Sequence, residues 1–185
     1  MTVAFGGYFD GQTAGGGYPV TLTDPTPNSP LALSTNNDSK VYTAMDGAMP
    51  TQPVLSGTPL YNGPISVWFS QAVAGVGLIG GYFDGAHSTS IEAYDATGNS
   101  LGIVSNTHLG PEFFGLADST GANVIKGISF YITGNEPAGF DIDNLTFGAA
   151  SVIIDPGVDH KVPEPSTMLL FVSGLLGLAA FRKKF

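Results

Sequence analysis

The sequence contains no cysteine among its 185 residues. That absence excludes disulfide bonds, cysteine-ligated zinc, iron–sulfur clusters and thiol catalysis. Basic side chains are also scarce: only Lys40 and Lys126 precede residue 160, against fourteen acidic residues in the same stretch. Because nucleic-acid binding depends on lysine and arginine, a body this acidic is not expected to bind nucleic acid. Its charge is suited to attracting cations instead.

Catalytic signals are sparse as well. The three histidines share no metal-ligand spacing such as His-x-x-x-His. Glycoside hydrolysis needs two carboxylates that flank the sugar, and sequence spacing alone does not oppose any two of the available glutamates, Glu92, Glu112 and Glu136. We therefore assign no catalytic residue and expect a protein that is not an enzyme, with a glycan hydrolase as the last alternative.

Glycine, proline and aromatic residues are abundant: 26 Gly, 13 Pro, 12 Phe and 7 Tyr. Strand-like segments recur roughly every ten residues, and no helical period occurs before residue 166. Residues 65–70 alternate cleanly, with Ile65, Val67 and Phe69 on one face. This pattern predicts an all-β fold, an antiparallel β-sandwich of jelly-roll type that spans residues 1–150.

Two local features carry further predictions. In the last strand, residues 140–147, the apolar positions change parity halfway, so we predict a β-bulge near Asp143 and Asn144. The string Gly-Gly-Tyr-Phe-Asp-Gly occurs twice, at residues 6–11 and 80–85. The two copies are either neighbouring strand ends in the sandwich or a chance similarity between two strands that end in Asp-Gly turns.

The ligand of the body is unknown from sequence, but some residues are candidates. Aromatic rings stack on sugars, and Trp68, Tyr82 and Tyr94 are the candidates for such contacts. Trp68 has the opposite parity to the apolar face of its strand, so we expect it to be exposed or to lie against a second layer.

No cofactor and no complete metal site are expected. By fold analogy alone, sugar-binding jelly rolls often hold a structural Ca²⁺ through carboxylates and main-chain carbonyls. The candidate ligands here are Asp10, Asp141 and Asp143. The alternative is that these aspartates are turn and bulge residues on a solvated face.

The end of the chain has a different composition. After a predicted linker at residues 151–161 come the motif Val162, Pro163, Glu164 and Pro165, then residues 166–181 without a charge, then Arg182, Lys183 and Lys184. As a helix the uncharged segment measures roughly 24 Å, which suits a short transmembrane helix or, alternatively, a buried core helix. The absence of a polar face favours the membrane. The positive-inside rule then places the cations in the cytoplasm and the body outside.

These ordered features resemble the PEP-CTERM sorting signal of bacterial exported proteins, here over residues 162–185. The resemblance implies anchoring in the inner membrane, recognition by the membrane protease exosortase, removal of the tail and a final location at the cell surface or outside it. It also implies an association with exopolysaccharide and biofilm. The terminus departs from the mostly arginine pattern of the family. Residues 1–7 lack the features of a secretory signal, so we expect the sequence to begin after one. The alternative is that the protein is not exported by that route.

The body is similar to ectodomains that accompany such tails, through residues 62–70, 80–85 and 134–148. That similarity implies a fold and no activity. The sequence therefore predicts an exported surface or extracellular-matrix protein, sorted by exosortase and associated with exopolysaccharide. The alternative is a carbohydrate-binding module, stabilised by calcium.

Overall fold

The computed structural model describes residues 1–36 and 40–153, and β-strands dominate these ranges. The strands are β1 (Val3–Gly6), β2 (Thr13–Ala14), β3 (Leu22–Asp24), β4 (Val41–Ala44), β5 (Val54–Gly57), β6 (Ile65–Val73), β7 (Gly75–Phe83), β8 (Thr89–Tyr94), β9 (Ser100–Ser105), β10 (Gly110–Ala117), β11 (Ile125–Ile132) and β12 (Asp141–Gly148). One short 3₁₀ turn, Ala150–Val152, is the only helical element in these ranges. No described helix is long and apolar enough to cross a membrane. The prediction of an all-β antiparallel fold is confirmed; the predicted transmembrane segment, residues 166–181, lies outside the described residues.

Two five-stranded sheets pack face to face. The first sheet has the order β1-β6-β11-β8-β9, and the second has the order β10-β7-β12-β5-β4. From β5 onwards, the chain places β6, β8, β9 and β11 in the first sheet and β5, β7, β10 and β12 in the second. This is the strand order of a jelly roll. The crossing of connections from one sheet to the other brings distant loops together at each end of the sandwich.

The core lies between the sheets and follows the period-two patterns of the strands. Ile65, Val67 and Phe69 of β6 are fully buried in it, as the alternation of that strand predicts. Four phenylalanine rings, from both sheets and the connection before β12, make edge-on or tilted contacts with centroids 4.9–6.3 Å apart. They are Phe83, Phe114, Phe130 and Phe140.

Glycines in β7 make room for these rings. A Cβ atom at Gly80 would lie 2.5 Å from the ring of Phe130, and one at Gly77 would lie 2.8 Å from the ring of Phe113. Real Cβ atoms do not approach so closely. The glycine-rich composition of β7 therefore belongs to the packing of the sandwich on both faces of that strand.

The predicted bulge in β12 is present. Its register against β7 shifts between Asp143 and Thr146, and Asn144 has a φ of 52°. Asparagine tolerates this left-handed conformation better than most residues. After the shift, Leu145 packs against the core, as Ile142 does before it. Asp143, where the shift begins, is half-buried.

The N-terminal segment forms a second layer on the outer face of the first sheet. Phe9 and Leu31 pack there against Tyr94 and the half-buried Trp68. The expectation that Trp68 lies against a second layer therefore agrees with its position. The two Gly-Gly-Tyr-Phe-Asp-Gly copies are not neighbours, because β1 is an edge strand of the first sheet while β7 lies in the second. The buried phenylalanines of the two copies accordingly belong to separate clusters.

The sandwich continues beyond residue 150. The side chain of Ile153 lies against Gly75 and Gly77 of β7 and Gly115 of β10. The first residues of the predicted linker thus pack on the outer face of the second sheet. Most of that linker, and all of residues 162–185, lie outside the described ranges.

Candidate functional site

Connections from both sheets surround a cleft of roughly 300 Å³ at one end of the sandwich. The β4–β5, β5–β6, β7–β8 and β11–β12 connections all contribute to its walls. We call it the tyrosine cleft, because two tyrosines and two aspartates dominate its polar surface. Its lining includes Asp46, Tyr61, Tyr82, Asp84, Gly139 and Phe140.

Glu136 holds the β7–β8 connection in place beside the cleft. This carboxylate is fully buried. It accepts hydrogen bonds from the backbone N–H groups of Asp84 at 2.9 Å and Gly85 at 3.2 Å, and from the hydroxyl of Ser88 at 2.6 Å. Because charge-assisted bonds are stronger than neutral ones, Glu136 fixes this loop relative to the β11–β12 connection.

Tyr61 is fixed by three hydrogen bonds. Its backbone N–H donates to the Ser56 hydroxyl at 2.8 Å, its carbonyl accepts from the Phe140 N–H at 2.6 Å, and its phenol donates to the Met45 carbonyl at 3.0 Å. Burial first, and then the carboxylates of Asp46 and Asp141, raise the pKa of Tyr61. Tyr61 therefore stands at the contact between the cleft and a cluster of acids.

Among the acids that the structure describes, Asp141 has the most unusual surroundings. It is fully buried, and neither carboxylate oxygen accepts a hydrogen bond from an N–H group or a hydroxyl among residues 1–36 and 40–153. Burial, a hydrogen bond with the Asp46 carboxyl group, and the charges of Asp46 and Asp143 raise the pKa of Asp141 to about 8. At neutral pH Asp141 therefore keeps its proton in the absence of a cation.

The predicted calcium candidates separate into two places. Asp141 and Asp143 lie two residues apart on the outer face of the second sheet, since Ile142 between them points into the core. One oxygen of Asp143 accepts from the Asn144 N–H at 2.7 Å, and its other oxygen is buried without a partner in the described part of the chain. Asp10 is exposed in the N-terminal layer on the first sheet and does not join them. Within residues 1–36 and 40–153, no three His, Asp or Glu side chains are grouped to hold a metal.

The three aromatic candidates have different environments. Tyr82 is 48% exposed and lines the tyrosine cleft. Trp68 is half-buried, its indole N–H donates to the Leu31 carbonyl at 3.1 Å, and the ammonium of Lys126 lies 4.5 Å from its ring centre. Tyr94 is 1% exposed, so its ring is not accessible to a sugar. Of the three, Tyr82 is the ring best placed for stacking.

Each glutamate considered for hydrolysis accepts hydrogen bonds from donors of its own surroundings. Glu92 is buried on the first sheet, and Glu136 is surrounded by its own donors. Glu112 accepts from the Thr107 and His108 N–H groups at 2.8 and 2.9 Å. Residues 98–102 do follow the spacing Gly-x-Ser-x-Gly, but they form the β8–β9 turn and the start of β9. A nucleophile elbow instead requires a strand–turn–helix context.

Asp46 and Tyr61 are the site residues that the sequence did not indicate. Apolar periodicity is weak around both residues. The β4–β5 connection brings Asp46 to β12, and the β5–β6 connection brings Tyr61 there. A larger cleft, of roughly 660 Å³, lies beside Tyr8, Gln12 and Thr58. Among the described residues that line it, none is charged, so the tyrosine cleft is the stronger candidate for recognition and cation binding.

Comparisons with known proteins address the tail and the body separately. The PEP-CTERM protein-sorting motif matches residues 161–184, which confirms the resemblance drawn from residues 162–185. No curated protein matches the chain at a significant level. Among solved structures, the enzymatically active domain of tailspike protein 4 of bacteriophage CBA120 is similar at 17% identity and a TM-score of 0.34. The similarity covers 60% of this chain and 18% of that one, and at this score it carries no argument.

Proposed function

We propose that this chain, which carries a PEP-CTERM sorting motif at residues 161–184, is an exported, non-enzymatic surface or matrix protein associated with exopolysaccharide. The single observation that carries the proposal is that motif, since it implies handling by exosortase, a membrane protein. The body fits this role as a sandwich with a large acidic excess and no cysteine. An acidic surface keeps a secreted protein soluble and discourages contact with nucleic acid.

The tail is tested in a Gram-negative host with and without its exosortase gene. We expect a shortened protein outside the inner membrane in the first strain and a full-length, membrane-bound protein in the second. Replacing Pro163, Glu164 and Pro165 together by alanine should block shortening in the strain that has exosortase. The matched control is Pro156→Ala, which removes a proline outside the motif and should leave processing unchanged. Normal shortening of the triple variant would contradict the proposal.

A carbohydrate-binding module is the second candidate function, and the tyrosine cleft is the observation that favours it. Tyr82 offers an exposed ring, while Asp46 and Asp84 offer carboxylates that accept hydrogen bonds from sugar hydroxyls. Tyr61 and Glu136 hold the surrounding loops, so the polar groups are pre-organised. Pre-organisation improves affinity because less freedom is lost on binding.

This candidate is tested by affinity electrophoresis of the full chain in gels that contain the exopolysaccharide of the producing strain. Tyr82→Ala should weaken retardation about tenfold, because central aromatic contacts dominate many binding surfaces. Tyr18→Ala is the matched control, since Tyr18 is 70% exposed and lies outside the cleft. Equal retardation of both variants would remove the tyrosine cleft as the binding surface. Release of reducing sugar ends by the purified protein would contradict the non-enzymatic part of the proposal.

A further inference from the structure

Three buried carboxylates occur in the described ranges in settings that can be compared directly. Glu92 accepts from two tyrosine phenols, and Glu136 accepts from two backbone N–H groups and a serine hydroxyl. Asp141 has no donor in the same ranges and faces a second acid, Asp46. A buried carboxylate without donors needs a proton or a cation to compensate the loss of water.

The fold places Asp141 at a covered position. It begins β12, where it pairs with Gly81 of β7, and its side chain points to the outer face of the second sheet. The β4–β5 connection, residues 45–53, covers this face: Met49 is 5% exposed, and its sulfur would lie 3.2 Å from a Cβ atom at Gly81. The covering loop thus brings its own acid, Asp46, onto Asp141.

Asp46 is held in position by its own turn. Its backbone N–H donates to the Gln52 amide oxygen at 2.8 Å, and its carboxylate accepts from the Ala48 N–H at 2.9 Å. The carboxyl groups of Asp46 and Asp141 lie within hydrogen-bonding reach of each other. The loop is therefore built to direct one carboxylate at the other, and its shape does not depend on the pairing alone.

Within residues 1–36 and 40–153, no Lys, Arg or His forms an ion pair with these acids. The only ion pair among the described residues joins His108 to Glu112, at 3.5 Å. Lys126 donates to the Ser70 carbonyl and covers Trp68 on the first sheet. Asp143 contributes negative charge near Asp141 without completing a three-acid metal group, and its buried oxygen lacks a partner in residues 1–36 and 40–153. The local surplus of negative charge is suited to a divalent cation.

We propose that Asp46 and Asp141 bind a calcium ion that joins the 45–53 connection to the first residue of β12. All the available side-chain ligands are oxygens, which hard cations prefer, and Ca²⁺ accepts irregular shells more readily than Mg²⁺. Two carboxylates fill only part of a shell of six to eight oxygens, so main-chain carbonyls or water complete it. A partial protein shell corresponds to the affinity range of extracellular modules, with a Kd of about 10⁻⁴–10⁻³ M.

This inference goes beyond the proposed function and does not rest on it. Calcium would neutralise the buried Asp141 and the half-buried Asp46, and it would fix the wall of the tyrosine cleft that Asp46 forms. The calcium proposal and the carbohydrate-binding candidate can fail independently. Asp141→Asn alters the calcium site, whereas Tyr82→Ala alters the surface of the tyrosine cleft.

The test uses the full chain, purified in detergent and freed of metal with EDTA. Isothermal titration with CaCl₂ should give one site of about 10⁻⁴–10⁻³ M. At 10 mM CaCl₂ the melting temperature should rise by at least about 3 °C. Asp141→Asn resembles the protonated side chain in shape, so it should fold, and it should lose calcium affinity at least tenfold. Asp46→Asn should do the same, and it decides the matter if the first variant fails to fold.

Asp10→Asn is the matched control, because Asp10 lies exposed on the other side of the sandwich. It should bind calcium like the wild type. Absence of calcium binding up to 10 mM would overturn the proposal and leave a proton on Asp141 as the compensation. Wild-type affinity in both Asp141→Asn and Asp46→Asn would also overturn it. Tighter binding of MgCl₂ than of CaCl₂ would overturn the assignment to calcium.

Discussion

Two buried carboxylates on opposite sides of the sandwich, Glu92 and Asp141, have opposite surroundings. Glu92 accepts from the phenols of Tyr94 at 2.9 Å and Tyr131 at 2.7 Å, beneath the N-terminal layer. Asp141 lies beneath the 45–53 connection, where the described residues supply another acid and no donor. The layer over the first sheet thus completes a hydrogen-bond network, while the layer over the second sheet concentrates negative charge. We infer that the first layer serves stability and that the second serves binding.

The largest effect should come from removing Glu92, the buried carboxylate whose hydrogen bonds are complete. Glu92→Ala leaves two buried phenols without their shared acceptor, so the free energy of unfolding should fall by about 4 kcal/mol. Urea denaturation of the full chain, followed by the fluorescence of its single tryptophan, measures this loss. Glu92→Gln keeps an acceptor oxygen and should lose about half as much. A loss below about 1 kcal/mol in Glu92→Ala would mean that the network does not stabilise the fold.

On the opposite side of the sandwich, the contribution of Asp141 to stability should depend on pH instead. Burial and Asp46 raise the pKa of Asp141 to about 8, so the folded protein keeps a proton that the unfolded chain releases above about pH 4. The stability that this proton provides is complete below the ordinary pKa of the acid and is lost as the pH rises towards 8. In EDTA, we therefore expect the wild type to lose of the order of 3 kcal/mol between pH 5 and pH 8.

Asp141→Asn cannot titrate at this position, and in EDTA its stability should change much less over the same pH range. The measurement is urea denaturation of both proteins at pH 5 and pH 8. Parallel pH profiles of the wild type and Asp141→Asn would contradict the buried acid pair.

The contrast between the two faces also separates what the sequence could predict from what it could not. The bulge at Asp143 and Asn144 was predictable, because parity in a strand is a local property and a single extra residue restores it. The core positions of β6 and β11 were predictable for the same reason. The alternation of apolar residues along each strand indicates which side chains are buried between the two sheets.

The outer faces were not predictable, because long-range layers cover them. All six residues of β8 are buried, so Tyr94 is enclosed by a segment about eighty residues earlier in the chain. Asp46 lies beside Asp141 because of the path of the 45–53 connection. Apolar periodicity is weak there, so no local sequence pattern predicts this contact. Whether a buried polar side chain finds a hydrogen-bond partner depends on which layer covers its face of the sheet. Strand patterns do not contain that information.

A smaller effect tests one donor of the Glu92 network. Tyr131→Phe removes the phenol that lies 2.7 Å from Glu92 and leaves the other phenol in place. We expect a loss of about 1.5 kcal/mol in urea denaturation, the usual contribution of one hydrogen bond to a charged group. Tyr18→Phe is the control, since Tyr18 is 70% exposed and should change stability by less than about 0.5 kcal/mol. Equal losses in the two variants would mean that the Tyr131 bond does not stabilise the buried carboxylate.

The smallest effect concerns Glu112, a carboxylate outside both layers. It shows how much a carboxylate that no layer covers contributes to stability. Burial raises the pKa of Glu112, but hydrogen bonds from His108 and Thr107 outweigh it and hold the pKa below its usual range. The resulting stability is present above about pH 4.5 and is lost as the pH falls below it. Since solvent screens this site, Glu112→Gln should cost about 0.5 kcal/mol at pH 7 and nothing at pH 3. A penalty comparable to that of Glu92→Ala would mean that burial under a layer does not set the contribution of these acids.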